Sequence, residues 1–372
     1  MTAGVQVFDH AGQLPAASWD ALLSPDDIFL SSRMLRVSEA TNGVAMNYLT
    51  TWSADALTGG LATAWVERSA PWLMGRPDTL LEHCASEGLP GAADCRAALP
   101  ADLTGALLPS LVCGGRHLGR TRTLVRGARA GAADDIDHLV AAAERLAWAG
   151  GARSAAFLYV DERDVALRRV LARRGYLSYT SGRYSWLPVP ADGFAGYLGR
   201  FSSHRRTRIL AERRRLRAAG AEVRIEPLSD ALLPPLAELE TSLLAKYGLR
   251  GSPAKSESIF ARILRECGTD ALVCTARRTD RLCGFALILA RGDQWHAYRG
   301  GFDYAVQGGL PVYFEVAFYH LVEAAAAAGV TAIHYGTGSA PTKRSRGCAG
   351  TDQYAFVLPA DAPGGAQLAS SA

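Results

Sequence analysis

The sequence predicts an α/β protein of two tandem domains, each with a mixed central sheet, joined by a basic helix. Three observations predict it. The chain has 372 residues, of which 49% are hydrophobic and 20% charged, so it is long enough for two cores. The predicted elements of the first half recur in the same order in the second. A helix, a glycine stop and a buried strand also repeat in similar letters, beginning at His138 and at His320.

The first half alternates strands and helices up to a closing strand that stops at Pro188. Prolines 71, 77, 90 and 100 indicate a loop-rich stretch in its middle, and Gly150-Gly151 end an alanine-rich helix. The predicted strands are 5–8, 45–52, 61–66, 107–113, 155–160 and 184–187. The predicted helices are 16–23, 27–41, 134–149 and 165–174.

The second half repeats this order, with a hairpin about Asp280 and a helix that starts at Pro311 and stops at Gly329. Its predicted strands are 223–227, 272–277, 283–290, 295–299, 331–335 and 354–358. Its predicted helices are 232–246, 254–266 and 311–328.

We therefore expect domains at residues 1–190 and 221–360, with the Arg-rich connecting helix at 191–220 and a disordered tail at 361–372. Apolar stretches fall short of the ~20 residues that span a bilayer. The first residues lack the basic start and apolar run of a signal peptide, which favours a cytoplasmic location. Seven scattered cysteines without a CxxC pair favour reduced, buried thiols and no structural metal.

The cations are distributed unevenly. Only three of the 40 basic residues are lysines, Lys246, Lys255 and Lys343. A lysine kept in an arginine background is a candidate functional group, because its compact ammonium has properties that a guanidinium lacks. Between Gly193 and Gly220 stand eight arginines and one glutamate, a net charge of +7 in a chain whose total is +4.

Four stretches carry a family resemblance. They are Trp295-His-Ala-Tyr-Arg-Gly-Gly-Phe-Asp, Tyr313-Phe-Glu, His334-Tyr-Gly-Thr-Gly with Lys343 and Arg346-Gly347, and the connector Tyr197-Leu…His204-Arg-Arg…Arg208-Ile. With the order of elements, they make the chain resemble the GNAT acyltransferase fold, in the tandem arrangement of Fem-like peptidyltransferases and related actinobacterial biosynthetic acyltransferases. The resemblance implies transfer of an acyl or aminoacyl group to an amine, with aminoacyl-tRNA as donor in the Fem-like branch.

Lys343 is the main catalytic candidate. It follows a strand that ends in Gly-x-Gly, where backbone N–H groups can approach a ligand closely. A fixed ammonium there could stabilise the tetrahedral oxyanion of acyl transfer, whereas the plainer interpretation is a solvated loop lysine. Tyr298 is the second catalytic candidate, on a strand expected to border the cleft. The expected substrate-binding residues are Arg299, Tyr335, Gly336, Gly338, Asp303 and Arg346.

The arginine-rich connector is open to two interpretations. It is either a solvated helix that packs a few apolar residues or a footprint for RNA or another polyanion, in which phosphates would be neutralised by arginine. Like charges at i, i+4 destabilise a helix, which favours the footprint. The donor-binding candidates are Arg205, Arg206, Arg208, Arg213 and Arg214. The expected partners are aminoacyl-tRNA and a small-molecule amine, without DNA.

Acyl-CoA is the alternative donor, and no other cofactor is expected. GNAT enzymes hold the CoA diphosphate in a glycine turn that opens a helix. Gln307-Gly-Gly-Leu-Pro departs from that pattern, and the near match at Arg116–Thr121 lies well before its helix. A non-catalytic RNA-binding protein is a second alternative.

Two further residues near the predicted site have plainer interpretations. For Glu315 we favour stabilisation of its helix, and for Cys348 a structural role.

Overall fold

The computed structural model describes residues 4–115, 120–125 and 131–361. The chain forms two compact units. The first comprises Met1–Tyr184 with Gly350–Ala372, and the second comprises Ser185–Ala349. This division differs from the predicted domains at the C-terminal end, because the last strand belongs to the first unit. The tail predicted to be disordered lies, from residue 362 onward, outside the described residues.

The strands are β1 (Val5–Phe8), β2 (Met46–Ser53), β3 (Ala56–Val66), β4 (Ser110–Cys113), β5 (Leu124–Val125), β6 (Ser154–Asp161), β7 (Leu177–Pro188), β8 (Ala221–Pro227), β9 (Ala271–Arg278), β10 (Arg281–Arg291), β11 (Gln294–Phe302), β12 (Ala332–Gly336) and β13 (Ala349–Pro359).

The helices are α1 (Ala16–Asp20), α2 (Ser32–Asn42), α3 (Pro77–Ser86), α4 (Ala92–Ala97), α5 (Leu103–Leu107), α6 (Ala132–Ala149), α7 (Val165–Arg173), α8 (Gly193–Gly199), α9 (Ser203–Ala218), α10 (Leu233–Lys246), α11 (Pro253–Cys267), α12 (Tyr304–Gln307), α13 (Val312–Phe314), α14 (His320–Ala327) and α15 (Ala340–Arg344). A π-helical turn, Glu315–Tyr319, joins α13 to α14.

The sheet of the first unit has the order β1-β2-β3-β4-β6-β13-β7. Every residue of β6 is buried, as its apolar run from Ala155 to Val160 predicts. The apolar face of α6 covers the sheet through Leu139 and Val140, which pack in one cluster with Phe157. β4 and β6 run parallel, and the other assigned pairs of this sheet are antiparallel.

The prediction of a loop-rich stretch in the first unit was wrong in part, because α3, α4 and α5 lie there. Pro77 occupies the first turn of α3, where the missing N–H is not needed. Asp102 caps α5 by accepting a hydrogen bond from the Gly105 N–H. Prolines placed before short helices therefore produce the same local composition as a loop.

In the second unit the strand order is β12-β11-β10-β9-β8, and residues 185–188 of β7 pair with β12. The predicted hairpin about Asp280 joins β9 to β10, with Thr279 and Asp280 both at positive φ. β11 and β12 run parallel over three residue pairs, from Gln294–Ala332 to His296–His334. This parallel pair carries the region in which the chemistry was predicted.

The predicted basic connector consists of two helices, α8 and α9. Ser202 caps α9 by accepting a hydrogen bond from the Arg205 N–H at 3.4 Å. Within the described part of the chain, no helix is both long and apolar enough to cross a bilayer.

Candidate active site

The loop after β12 curls around a single ammonium group. Gly336 (φ 65°) and Gly338 (φ 78°) adopt the left-handed conformation, which lets the backbone turn tightly there. Lys343 Nζ donates to the carbonyl oxygens of Tyr335 at 2.7 Å, Gly336 at 3.0 Å and Thr337 at 2.7 Å. The lysine is only 6% exposed. All three N–H donors of the ammonium are therefore engaged by backbone carbonyls.

Burial controls the titration of the two reactive groups in this loop. It lowers the pKa of Lys343 to about 8, whereas the three carbonyl contacts favour the charged ammonium. Burial raises the pKa of Cys348 to about 12, and the neighbouring lysine offsets this only in part. Cys348 is consequently a thiol at neutral pH, which accords with the structural role favoured for it and not with a nucleophile.

Aromatic packing fixes the residue at which this loop begins. The Tyr335 ring stacks on Phe318, with ring centroids 4.7 Å apart, and its hydroxyl donates to the Ala317 carbonyl at 2.7 Å. Both partners lie in the π-helical turn. Such turns disturb the regular helical hydrogen bonding, and this one offers a carbonyl to a side chain. Tyr335, predicted to bind substrate, is therefore fixed in position by the helix behind it.

Arg346 lies in a buried polar network instead of an open pocket. It is 3% exposed, and its guanidinium lies 3.7 Å from the centre of the Phe314 ring. Its Nη2 is 3.6 Å from Glu212 Oε2, which also accepts a hydrogen bond from the Tyr319 hydroxyl. The Tyr197 hydroxyl donates to the Arg346 carbonyl. Sequence reasoning missed Glu212 and Tyr319, which show no motif.

The residues predicted on β11 are engaged by neighbouring helices. Arg299 makes a two-pronged ion pair with Glu240 of α10, at 2.7 and 3.0 Å. Gly301 allows α10 to approach, because a Cβ there would lie 2.4 Å from the backbone of Glu240. Asp303 caps α12 by accepting from two backbone N–H groups. Tyr298 is half-buried, and its ring lies beside the Arg299 guanidinium.

Two histidines meet where β11 and β12 end their pairing. The rings of His296 and His334 are stacked, with centroids 4.5 Å apart and planes 12° apart. His334 Nε2 lies 2.6 Å from Gln294 Oε1. The sequence analysis did not predict that these two histidines are neighbours. Each is the third residue of its strand's paired segment, and matching positions in two parallel strands could have indicated the contact.

α9 divides its arginines between solvent and core. Arg208, Arg214, Arg215 and Arg217 are exposed. Arg205 and Arg206 are half-buried and donate to the backbone carbonyls of Ser345 and Phe201.

Binding of the donor by Arg213 would require its side chain to face solvent, and that expectation was wrong. It is 6% exposed and forms ion pairs with Glu315 at 2.9 Å and Glu323 at 2.7 Å. Burial raises the pKa of the Glu315 carboxyl, and Arg213 opposes that shift. Arg213 therefore ties α9 to the helix carrying the π-helical turn.

In the described ranges, no group of three or more His, Cys, Asp or Glu side chains is arranged to hold a metal ion. The near match to a CoA turn at Arg116–Thr121 falls mostly on residues 116–119, outside those ranges.

Comparison with known proteins supplies the family. A family model described as peptidoglycan biosynthesis and recognition, FemAB-like, matches residues 119–364. FemX aligns with a TM-score of 0.61 at 11% identity, covering 95% of this chain and 97% of FemX. L-PGS from Bacillus licheniformis gives 0.54 at 12%, covering 91% and 89%. A tandem GNAT protein from the clavulanic acid pathway gives 0.53 at 14%, covering 96% and 99%. No curated protein matches the sequence. The structural matches confirm the predicted fold class.

Proposed function

Because the chain belongs to the FemAB-like family and is an acyltransferase of the GNAT fold, we propose that it transfers an aminoacyl group from aminoacyl-tRNA to an amine. The acceptor is a small molecule, either a peptidoglycan precursor or a specialised metabolite. The reaction forms an amide bond, breaks the ester bond to the tRNA and releases free tRNA.

The exposed arginines of α9 are the observation that carries the choice of donor. Arg208, Arg214, Arg215 and Arg217 spread over the half of the helix opposite its buried residues Ile209, Glu212, Arg213 and Leu216. Four exposed guanidiniums on one helix form a strong positive surface. Within the described part of the chain, Arg208 forms an ion pair with Glu212 at 3.4 Å, and Arg217 acts on Glu315 at longer range. RNA phosphates are the natural counter-ions for such a surface.

The helix start in the second unit supports the same choice over acyl-CoA. Binding a diphosphate requires free backbone N–H groups at that position. Here the Leu310 N–H donates to the Gln307 carbonyl and the Val312 N–H to the Leu310 carbonyl. Pro311, between them, has no N–H. The backbone N–H groups of Leu310 and Val312 are therefore already hydrogen-bonded within the protein and are not free to bind a diphosphate.

Lys343 is the group that we propose for catalysis. Attack of the amine on the ester carbonyl forms a C–N bond and places negative charge on the carbonyl oxygen. In the free protein the ammonium holds three backbone carbonyls. We propose that one N–H exchanges its carbonyl for the oxyanion as the bond forms, so that stabilisation arises in the transition state. Asp303 and Glu315 serve as a helix cap and an ion-pair partner in this scheme.

The proposal is tested by incubating the protein with radiolabelled, charged total tRNA and a metabolite extract. We expect label to leave the tRNA and enter a small-molecule amide. Calorimetry in parallel should give weak acetyl-CoA binding, and tRNA binding whose affinity falls steeply with salt.

The outcomes separate the three candidate functions. Micromolar acetyl-CoA affinity without salt-dependent tRNA binding would favour the acyl-CoA enzyme. Salt-dependent tRNA binding without transfer of label, together with an inactive acetyl-CoA assay, would favour a non-catalytic RNA-binding protein.

A further inference from the structure

The turn between α10 and α11 is strongly exposed and has no role in the proposed transfer reaction. Every residue from 245 to 255 is exposed, which is the longest such run among the described residues. Tyr247 and Leu249 are 68% and 56% exposed, the two highest values for large hydrophobic side chains in the described ranges. Single exposed hydrophobic residues are common, whereas two within three residues indicate a contact surface.

The backbone of the 245–255 turn is fixed at both ends. The Leu249 N–H donates to the Leu244 carbonyl at 2.9 Å, and the Gly248 N–H donates at 3.0 Å to the carbonyl three residues before it. With Gly248 at a φ of 68°, these bonds form a Schellman motif that ends α10. Ser252 caps α11 by accepting from the Lys255 N–H at 3.2 Å. The two hydrophobic side chains therefore project from a hydrogen-bonded turn, and their exposure does not come from a frayed helix end.

The charges of the turn all have one sign. Lys246, Arg250 and Lys255 give it a net charge of +3, and they include two of the three lysines of the chain. Among the described residues, no carboxylate forms an ion pair with any of the three. The Lys246 ammonium instead lies 3.9 Å from the centre of the Tyr304 ring. The hydrophobic pair is thus flanked by cations that can attract an anionic surface.

We propose that the 245–255 turn docks the protein on an anionic lipid surface. Tyr247 and Leu249 enter the interfacial layer, where tyrosine is favoured, and the three cations pair with lipid phosphates. The contact is peripheral, made by a few side chains at the boundary between headgroups and acyl chains.

A lipid surface suits this composition better than RNA or a protein partner does. RNA would pair with the cations and stack on Tyr247, but it offers little to the aliphatic side chain of Leu249. Lysine is depleted at protein–protein interfaces, whereas it is favoured beside anionic lipids. A lipid surface provides an apolar layer and phosphates together, so it accounts for both features of the turn.

Aromatic rings connect the turn to the Lys343 loop. From Tyr304, which Lys246 contacts, ring-to-ring contacts with centroids 5.3–6.4 Å apart lead to Phe314. Arg346, three residues after Lys343, lies against Phe314. If the proposed function holds, docking brings the proposed transfer site near the membrane surface, and that link alone rests on the proposed function.

Vesicle co-sedimentation with the full chain tests docking without any transfer assay. The probes are vesicles of phosphatidylglycerol and phosphatidylcholine in equal parts, with pure phosphatidylcholine vesicles as the control. We expect the protein to pellet with the anionic vesicles only, and less so as salt is raised. Tyr247→Ser with Leu249→Ser should weaken this binding by about tenfold or more, because the hydrophobic contact is lost while every charge is kept. Leu73→Ser, at a leucine of the first unit that is 52% exposed, is the matched control and should bind normally.

Two further changes keep the test decisive. Leu249→Trp should bind anionic vesicles more tightly than the wild type, because tryptophan is favoured at the interface, and a misfolded protein would not show this gain. Arg250→Gln with Lys255→Gln should weaken binding by about tenfold. Arg153→Gln with Arg173→Gln removes two exposed charges from the first unit and should leave binding unchanged.

Two results would each overturn the proposal. One is failure of the wild type to bind anionic vesicles. The other is equal vesicle binding by the wild type and the double serine variant, which would assign the contact to other cations, such as those of α9. If that equal binding came with a loss of tRNA affinity, the turn would be a contact for RNA. Neither result depends on whether the protein transfers an aminoacyl group.

Discussion

The two units use the same parallel strand pair for different purposes. In each, the pairing lasts three residues, at Ser110–Val112 of β4 and at Gln294–His296 of β11. In the first unit Thr121 then bridges to β6 and extends the sheet. In the second, among the described residues, no comparable bridge lies beside β12, and the chain instead curls around Lys343.

This difference is one ground for our proposal that the chemistry takes place in the second unit. Ion pairs between arginine and aspartate surround the gap in the first unit. The second unit instead surrounds a single lysine with carbonyls and aromatic rings. Two units of the same fold can thus keep the same sheet and differ in the residues that lie where the parallel strands separate. Each variant below changes one unit and asks whether the other is affected.

The largest effect is expected from Arg213→Met in the second unit. It would leave the Glu315 carboxylate buried without its main partner, and breaking a buried ion pair costs about 3–5 kcal/mol. Urea unfolding should show a corresponding fall in the free energy of unfolding. Arg214→Met, one residue further along α9 and exposed, is the matched control and should change little. Equal losses in the free energy of unfolding would mean that the buried ion pairs of α9 contribute no more to stability than its surface charges.

Next comes Lys343→Met, which should lower kcat for transfer by about a hundredfold or more, as loss of an oxyanion donor does. KM should change little, because the charge it stabilises exists only in the transition state. Lys255→Met removes an exposed lysine and serves as the control.

Lys343→Arg distinguishes the possible roles of this side chain. A planar guanidinium cannot reproduce three N–H contacts of 2.7–3.0 Å from one nitrogen, so activity should return only in part. Full activity with arginine would rule out the oxyanion role and favour a phosphate clamp. A surface role predicts normal rates in both Lys343 variants.

The sequence singled out Lys343 as unusual but did not predict that Arg213 is buried, and the reason is physical. Lys343 stands out because lysine is rare in this chain and because glycines precede it within a few residues. Arg213 lies in a run of arginines that look alike, and its partners Glu315 and Glu323 are about a hundred residues away. β13 poses the same problem, since its apolar residues would suit either sheet. Local spacing predicts elements well, whereas long-range partners decide which side chains are buried.

The pH dependence of kcat should also reveal the titration of Lys343. With the pKa of Lys343 lowered to about 8, the ammonium is lost as pH rises through that value, and kcat should fall about tenfold per pH unit above it. Stability should change in the opposite direction. Between about pH 8 and 10.5 the unfolded chain keeps a proton that the folded chain has lost, so the free energy of unfolding rises with pH. Lys343→Met should lack both effects, and an unchanged profile in that variant would contradict the assignment.

A smaller effect, on tRNA binding, is expected when positive charge is removed from the exposed surface of α9. Changing Arg208, Arg214, Arg215 and Arg217 together to Gln should weaken tRNA binding by about tenfold or more and flatten its salt dependence. The matched control changes four exposed arginines of the first unit, Arg145, Arg153, Arg169 and Arg173, to Gln. Filter binding at several salt concentrations separates a local footprint from a general effect of net charge. Equal losses in both variants would leave only the general effect.

The smallest effect concerns the bridge that distinguishes the two strand pairs. Thr121→Val keeps the shape of the side chain but removes the oxygen that accepts the Tyr159 N–H. The Thr121 N–H still donates to the Tyr159 carbonyl, so the segment should stay in place and the free energy of unfolding should fall by only about 1–2 kcal/mol. Thr207→Val, on the exposed side of α9, makes the same change where no buried donor loses a partner and should have almost no effect. Transfer kinetics should be normal in both variants, because the reacting groups that we propose lie in the second unit. A large loss of kcat in Thr121→Val, without a matching loss of stability, would show that the gap in the first unit takes part in the reaction.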